Sequence, residues 1–177
     1  FAVLYGGAVA LLPVIAEEQL KVGDVAYGWL RAAGGIGAAT MAIFLAFRPI
    51  RRHVGRTLLV VVAIFGISTI VLGTTHSYLV AFIAMLVIFA ADMVSVFIRS
   101  SLVPLVTPDD KRGRVSAVEN VFIGASNELG AFESGVTAKL FGTVRAVVGG
   151  GIMTILIVSY TGFKIPKLRK LEFTDQD

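Results

Sequence analysis

Residues 57–73 read TLLVVVAIFGISTIVLG, seventeen positions without one ionisable side chain. A bilayer core of about 30 Å takes roughly 20 mostly apolar residues in a helix, and this stretch with its flanks approaches that length. It is preceded by RPIRRHVGR (48–56), four arginines in nine residues. An apolar run closed by a basic loop is the pattern of a membrane span ending on the cytoplasmic side.

Working outward, five further runs have the same character, and together the expected spans are about 1–16, 25–47, 57–73, 78–98, 115–141 and 146–163. None alternates as a barrel strand would, so helices are expected. The bulk figures agree: 177 residues, 56% hydrophobic and only 16% charged, with a mean hydropathy of +0.84. Soluble domains average about 45–50% apolar and about 25% charged. There is no cysteine, which excludes disulfides and thiolate metal sites. The chain opens at Phe1 with no charged leader. It therefore does not begin as a secretory signal peptide, and it reads as a piece cut within or just before a span.

Twelve of the sixteen basic residues fall in three segments: 48–56, 99–114 and the tail 164–177. These are every second connection, so the basic loops and the C-terminal tail are expected in the cytoplasm. Basic clusters spaced by apolar runs are topology signals, and nucleic acid is not an expected partner. The tail segment KIPKLRKLEF (164–173) either lies on the inner leaflet or is solvated after the last span. The domain division is thus a bundle over 1–163 and a cytoplasmic basic tail over 164–177.

The fifth run departs from the others. Residues 119–135, ENVFIGASNELGAFESG, carry three glutamates inside an apolar segment. On the insertion scale three ionised carboxylates cost roughly 7–10 kcal/mol, against roughly 3–6 kcal/mol returned by the apolar residues of 115–141. Such a helix must be shielded, line water or hold protonated acids. At 100° per residue Ser126, Gly130, Glu133 and Thr137 lie within about 40° of Glu119. Asn120, Asn127 and Ser134 flank that stripe, while Glu128 points the other way near Lys139. Glu119 and Glu133 are the candidate proton-carrying acids, and Asn120, Ser126 and Asn127 the candidate donors and acceptors for a solute. Asp92 is a lone acid in its run, with Arg99 two turns below, and joins the candidate pathway. Arg31 is close enough to its span's end to snorkel. The glycines of GWLRAAGGIGAA (28–39) allow close helix packing.

The run RGRVSAVENVFIGASNELGAFESG (112–135), preceded by LVTPDD, resembles the major facilitator superfamily, and within it the enterobactin-exporter-like branch of transmembrane secretion effectors. The resemblance extends over the whole chain as the C-terminal six of twelve helices. It implies an all-α polytopic bundle whose third and sixth helices are peripheral, with a missing N-terminal half as partner. The superfamily loop pattern Gly-x-x-x-Asp-Arg-x-Gly-Arg is kept only at Gly55 and Arg56. Arg48, Arg52 and His53 replace its Gly, Asp and Arg, so the salt bridge of that Asp is not expected. Arg52, Arg56, Arg112 and Arg114 are expected at the cytoplasmic gate or as topology signals. The activity implied is proton-coupled export of small organic molecules such as siderophores or drugs, with no cofactor beyond the proton gradient, no metal and no catalytic residue.

Two other classes stay open at this level. Six spans with Gly124 and Ser126 in a Gly-x-Ser motif are reminiscent of rhomboid proteases, but a serine nucleophile needs a histidine within reach. The two histidines, His53 and His76, fall in loops expected on opposite sides of the membrane. A channel or structural subunit is the other alternative.

Overall fold

The computed structural model describes residues 9–50 and 53–165, with the side chains of 103–106 excepted. Arg52, the tail beyond 165 and the opening residues of the first expected span lie outside the described residues. Those described are helical, without a strand among them. A short helix α1 (Leu12–Val14) runs into a π-helical turn, Ile15–Gln19. Five long helices follow: α2 (Asp24–Phe47), α3 (Val54–Thr74), α4 (Tyr78–Val106), α5 (Arg112–Phe141) and α6 (Thr143–Lys164).

Their ends follow from local chemistry. Asp24 in the first turn of α2 complements the helix dipole. At its other end Arg48 leaves the helical region (φ −134°, ψ 74°), as the residue before Pro49 is driven to do. The left-handed His53 (φ 54°) turns the chain into α3. Between α5 and α6 a single non-helical residue, Gly142, takes φ 91° and ψ 150°, a conformation open essentially to glycine.

The helices are longer than the apolar runs that announce them. The fourth run was expected to end at 98, before Arg99, yet α4 continues to Val106. The charge is absorbed within the helix: the Arg99 Nε–H donates to the Ser95 carbonyl at 3.2 Å, and the guanidinium lies 3.9 Å from the Asp92 carboxylate. Among the described residues four helices are long and apolar enough to cross a bilayer: α2, α3, α4 over Tyr78–Leu102, and α6. With 30 residues, α5 has the length but not the apolarity, because of its acids.

α2 packs along α4, α4 along α3, and α3 along α6, with α5 resting more lightly on α6. α1 and the π-helical turn add to the core: Leu12 and Ile15 are buried with Leu30, Phe65, Leu72, Met85 and Val147 in the larger apolar cluster. A smaller cluster of Leu45, Val54, Val94 and Ile98 forms another part of the core. Small residues set the closest approaches. A side chain at Gly37 would collide with the Leu86 backbone, and Gly66 and Gly151 face each other across α3 and α6. The buried hydroxyls of Thr69 and Thr154 donate to the carbonyls of Phe65 and Gly150, each at 2.9 Å, so neither brings an unpaired donor into the apolar interior. α3 and α6 each keep an outward strip, Val60, Ile64, Ile67 and Val71 on α3 and Ile152, Leu156 and Phe163 on α6. This suits helices whose runs carry no acid or base.

The π-helical turn ties α1 to the end of α3. The Gln19 side-chain amide donates to the carbonyls of Gly73 (3.2 Å) and Thr75 (2.5 Å). These are among the carbonyls a helix end leaves without an intrahelical partner. Gln19→Ala is expected to cost about 1–2 kcal/mol, one net contribution per lost bond. Hydrogen–deuterium exchange should then speed up selectively around residues 73–77, and an unchanged pattern there would disprove the tie.

Candidate transport site on the fifth helix

α5 has two unlike faces. Gly130 is buried, and Glu119, Ser126, Asn127, Ser134 and Thr137 are half-buried beside it. Val118, Val121, Phe122, Leu129, Phe132 and Leu140 are exposed on the opposite side. Most of the polar stripe read from the sequence, Glu133 and Asn120 excepted, is therefore the inward face, and the apolar face looks out. This inverts the pattern of a helix in water, as a helix bordered by lipid requires. Near the middle of α5 the Asn127 Oδ1 is buried without a hydrogen-bond partner among the described residues. A buried acceptor of that kind costs free energy until something donates to it.

Glu133 stands at the edge of the stripe and is exposed along one wall of a cavity of about 230 Å³. α5 supplies Glu133, Ser134 and Thr137 to this space, α6 supplies Arg145, Gly149 and Gly150, and Thr69 of α3 and Leu11 before α1 complete it. The Thr137 hydroxyl donates to the Glu133 carboxylate at 3.2 Å. Glu119 is not brought into this cavity. Their separation of fourteen positions puts them roughly 21 Å apart along the helix axis. Asn120 and Glu128 are both exposed.

Asp92 is not gathered with the α5 residues. It is half-buried on α4 beside Arg99. Arg99 and Ser95 line a separate space of about 200 Å³ with Leu58, Val62 and Ile157, between α3, α4 and α6. Of the expected gate arginines, Arg112 pairs with Asp109 at 2.8 Å across the short turn that precedes α5. Arg114, two residues further on, is exposed. Arg56 borders a shallow hollow with Phe163 and Gly162, at the end of the bundle that carries the 48–56 loop.

Two arginines stand in places the sequence did not mark as sites. Arg31 borders a cavity of about 480 Å³ with Tyr27, Met85 and Phe89, between α1, α2 and α4. Arg145 lies in the Glu133 cavity. Its one sequence signal is that it is a lone base in a connection otherwise free of them. His53 and His76 flank opposite ends of α3, and neither lines the Glu133 cavity. Among the described residues no cluster of three potential ligands could hold a metal ion.

A bundle of long apolar helices that turns one polar, acid-bearing face inward defines a multi-pass membrane protein of the transporter class. Residues 1–177 match the transmembrane secretion effector family, and the chain belongs to it. The family match agrees with the major facilitator resemblance read from residues 112–135. No curated protein and no solved structure matches the chain.

Proposed function

We propose that the chain is the C-terminal six-helix half of a proton-coupled exporter of small organic molecules. It works by alternating access against a companion six-helix bundle, with the first span and α2–α6 as its six crossings. The basic loops and the tail face the cytoplasm of a bacterial inner membrane. The observation that carries this reading is the inward polar face of α5, which holds Glu119 and places Glu133 on an open cavity. Intramembrane acids on such a face are characteristic of proton relays and solute paths. Secondary carriers bind their cargo near the bilayer midplane, and Asn127 stands near the middle of α5. Protonation of Glu133 or Glu119 on the outer side releases solute, and deprotonation on the inner side resets the site. Asn120, Ser126 and Asn127 contact the solute, and the Asn127 Oδ1, buried without a partner among the described residues, accepts from it. Asp92 belongs to the same pathway from the α4 side. Arg52, Arg56, Arg112 and Arg114 act at the cytoplasmic gate.

The test is efflux driven by an imposed pH gradient, measured for the full-length protein and for Glu133→Gln and Glu119→Gln. At least one variant is expected to lose about 5–150-fold of the gradient-dependent rate, the range of a 1–3 kcal/mol coupling between two ligands. Export that stays fully pH-driven in both variants removes the coupling role from α5.

A further inference from the structure

The cavity between α5 and α6 contains two opposite charges, and only Glu133 belongs to the proposed pathway. Arg145 enters the same cavity from α6, yet among the described residues the two do not close into an ion pair. Both residues are exposed, and opposite charges that border one shared space attract each other and any ligand of complementary charge. Their placement explains the gap. Glu133 stands nine residues before the Gly142 link and Arg145 three after it. In a helical hairpin that is an axial offset of roughly 9 Å at 1.5 Å per residue.

The rest of the wall is mixed, with Thr69 and Ser134 beside apolar residues. Leu11, Val147 and Met153 form part of the wall. A side chain built at Gly149 or Gly150 would meet nothing within 4 Å, so α6 leaves room there instead of filling it. The space, about 230 Å³, is smaller than the roughly 300–1,000 Å³ of sites for drug-sized ligands.

We propose that this cavity is a subsite for a small linear zwitterion whose charges are separated by several methylene groups. The ammonium end sits against Glu133 and Thr137, the carboxylate against Arg145, and the methylenes against Leu11 and Val147. An anion with a planar carboxylate suits the guanidinium fork. The subsite lies at the end of the bundle away from the basic loops, beside the Gly142 link. It deepens the export reading by naming a class of solute for the Glu133 end of the path. It does not depend on proton coupling, since it concerns binding alone.

The probe is 6-aminohexanoate, compared with hexylamine and hexanoate in calorimetric binding to the purified full-length protein. The zwitterion is expected to bind at least about tenfold more tightly than either single-ended analogue. Arg145→Gln should erase its advantage over hexylamine, and Arg145→Lys should keep most of it. Glu133→Gln should erase its advantage over hexanoate. Gly150→Leu, which adds bulk only where there is open space, should weaken all three ligands and leave the melting temperature unchanged. Equal affinities for the three probes, no binding of any, or an Arg145→Gln protein that keeps the preference would each overturn the proposal. An Arg145→Gln protein that loses the preference but still exports with the pH gradient supports it. If the Gln variants at 119 and 133 lose pH coupling while the three probes bind alike, the export reading survives and this one does not.

Discussion

Gly151→Leu is expected to abolish the accumulation of folded protein in the membrane, and Gly66→Leu to do nearly the same. The two glycines touch backbone to backbone. A Cβ at Gly151 would stand 2.8 Å from the Gly66 carbonyl oxygen and 2.6 Å from the Ile70 Cγ1. A Cβ at Gly66 would stand 3.0 Å from the Gly151 carbonyl and 2.9 Å from the Ile155 Cγ1. A side chain can move aside but a helix backbone cannot, so the α3–α6 pair would have to separate along its length. In lipid there is no hydrophobic gain from driving helices together, and close van der Waals contact between small residues is the main adhesive. Even one inserted carbon in a well-packed core costs about 1–3 kcal/mol. Four carbons at a backbone contact exceed what a marginally stable bundle tolerates. Gly149→Ala is the control, because a Cβ there meets nothing within 4 Å and alanine is the better helix former. Fluorescence-detected size exclusion of membrane extracts reads the result. A Gly151→Leu protein that elutes and melts like its parent would show that the contact is not what holds α3 to α6.

That contact also shows where reading the sequence stops. The apolar run 57–73 is enough to identify a membrane helix, because a lipid core asks only for length and apolarity. It does not say which of its faces meets another helix. Gly66 and Gly151 are 85 positions apart, and nothing local distinguishes them from Gly149, which touches nothing. In GWLRAAGGIGAA the expected packing role is confined to two positions. Gly34 approaches the Phe89 ring and Gly37 the Leu86 backbone, while Gly28 and Gly35 stand open.

On α5 the stripe itself was legible, because the 100° period of a helix gathers Glu119, Ser126, Gly130 and Thr137 regardless of what surrounds them. Its direction was not. An amphipathic helix in lipid can turn its polar side to a companion bundle or to its own, and the periodicity is the same in both cases. Here the half-buried positions face α6 and the interior of this bundle. Arg145 escaped notice for a related reason. A single base near a helix end usually serves topology or snorkels to the interface, and only the fold brings it to Glu133.

Asp92→Leu is expected to destabilise the protein far more than the double replacement Asp92→Leu with Arg99→Met. The two residues are seven apart on α4, so they lie within about 20° of one another around the helix. The arginine folds back along it, bonding the Ser95 carbonyl at 3.2 Å and lying 3.9 Å from the acid. Removing the carboxylate takes one charge partner from a guanidinium that lies beside Leu58, Val62 and Ile157. Loss of one partner of a fully buried pair costs about 3–5 kcal/mol. The side chains here retain 30% and 19% exposure, so about 2 kcal/mol is expected. At about 2–4 °C per kcal/mol, that lowers the melting midpoint by about 4–8 °C. The double variant removes both charges and should recover most of the loss, because apolar residues of similar volume commonly replace such pairs without penalty. Equal midpoints for single and double variants would mean that the pair contributes nothing to the fold. Asp92→Asn separates structure from transport. It keeps the shape and a hydrogen-bonding oxygen for Arg99 but cannot carry a proton, so a stable Asn variant that no longer exports would put Asp92 on the proton path. One that exports normally would leave it a counter-ion for Arg99.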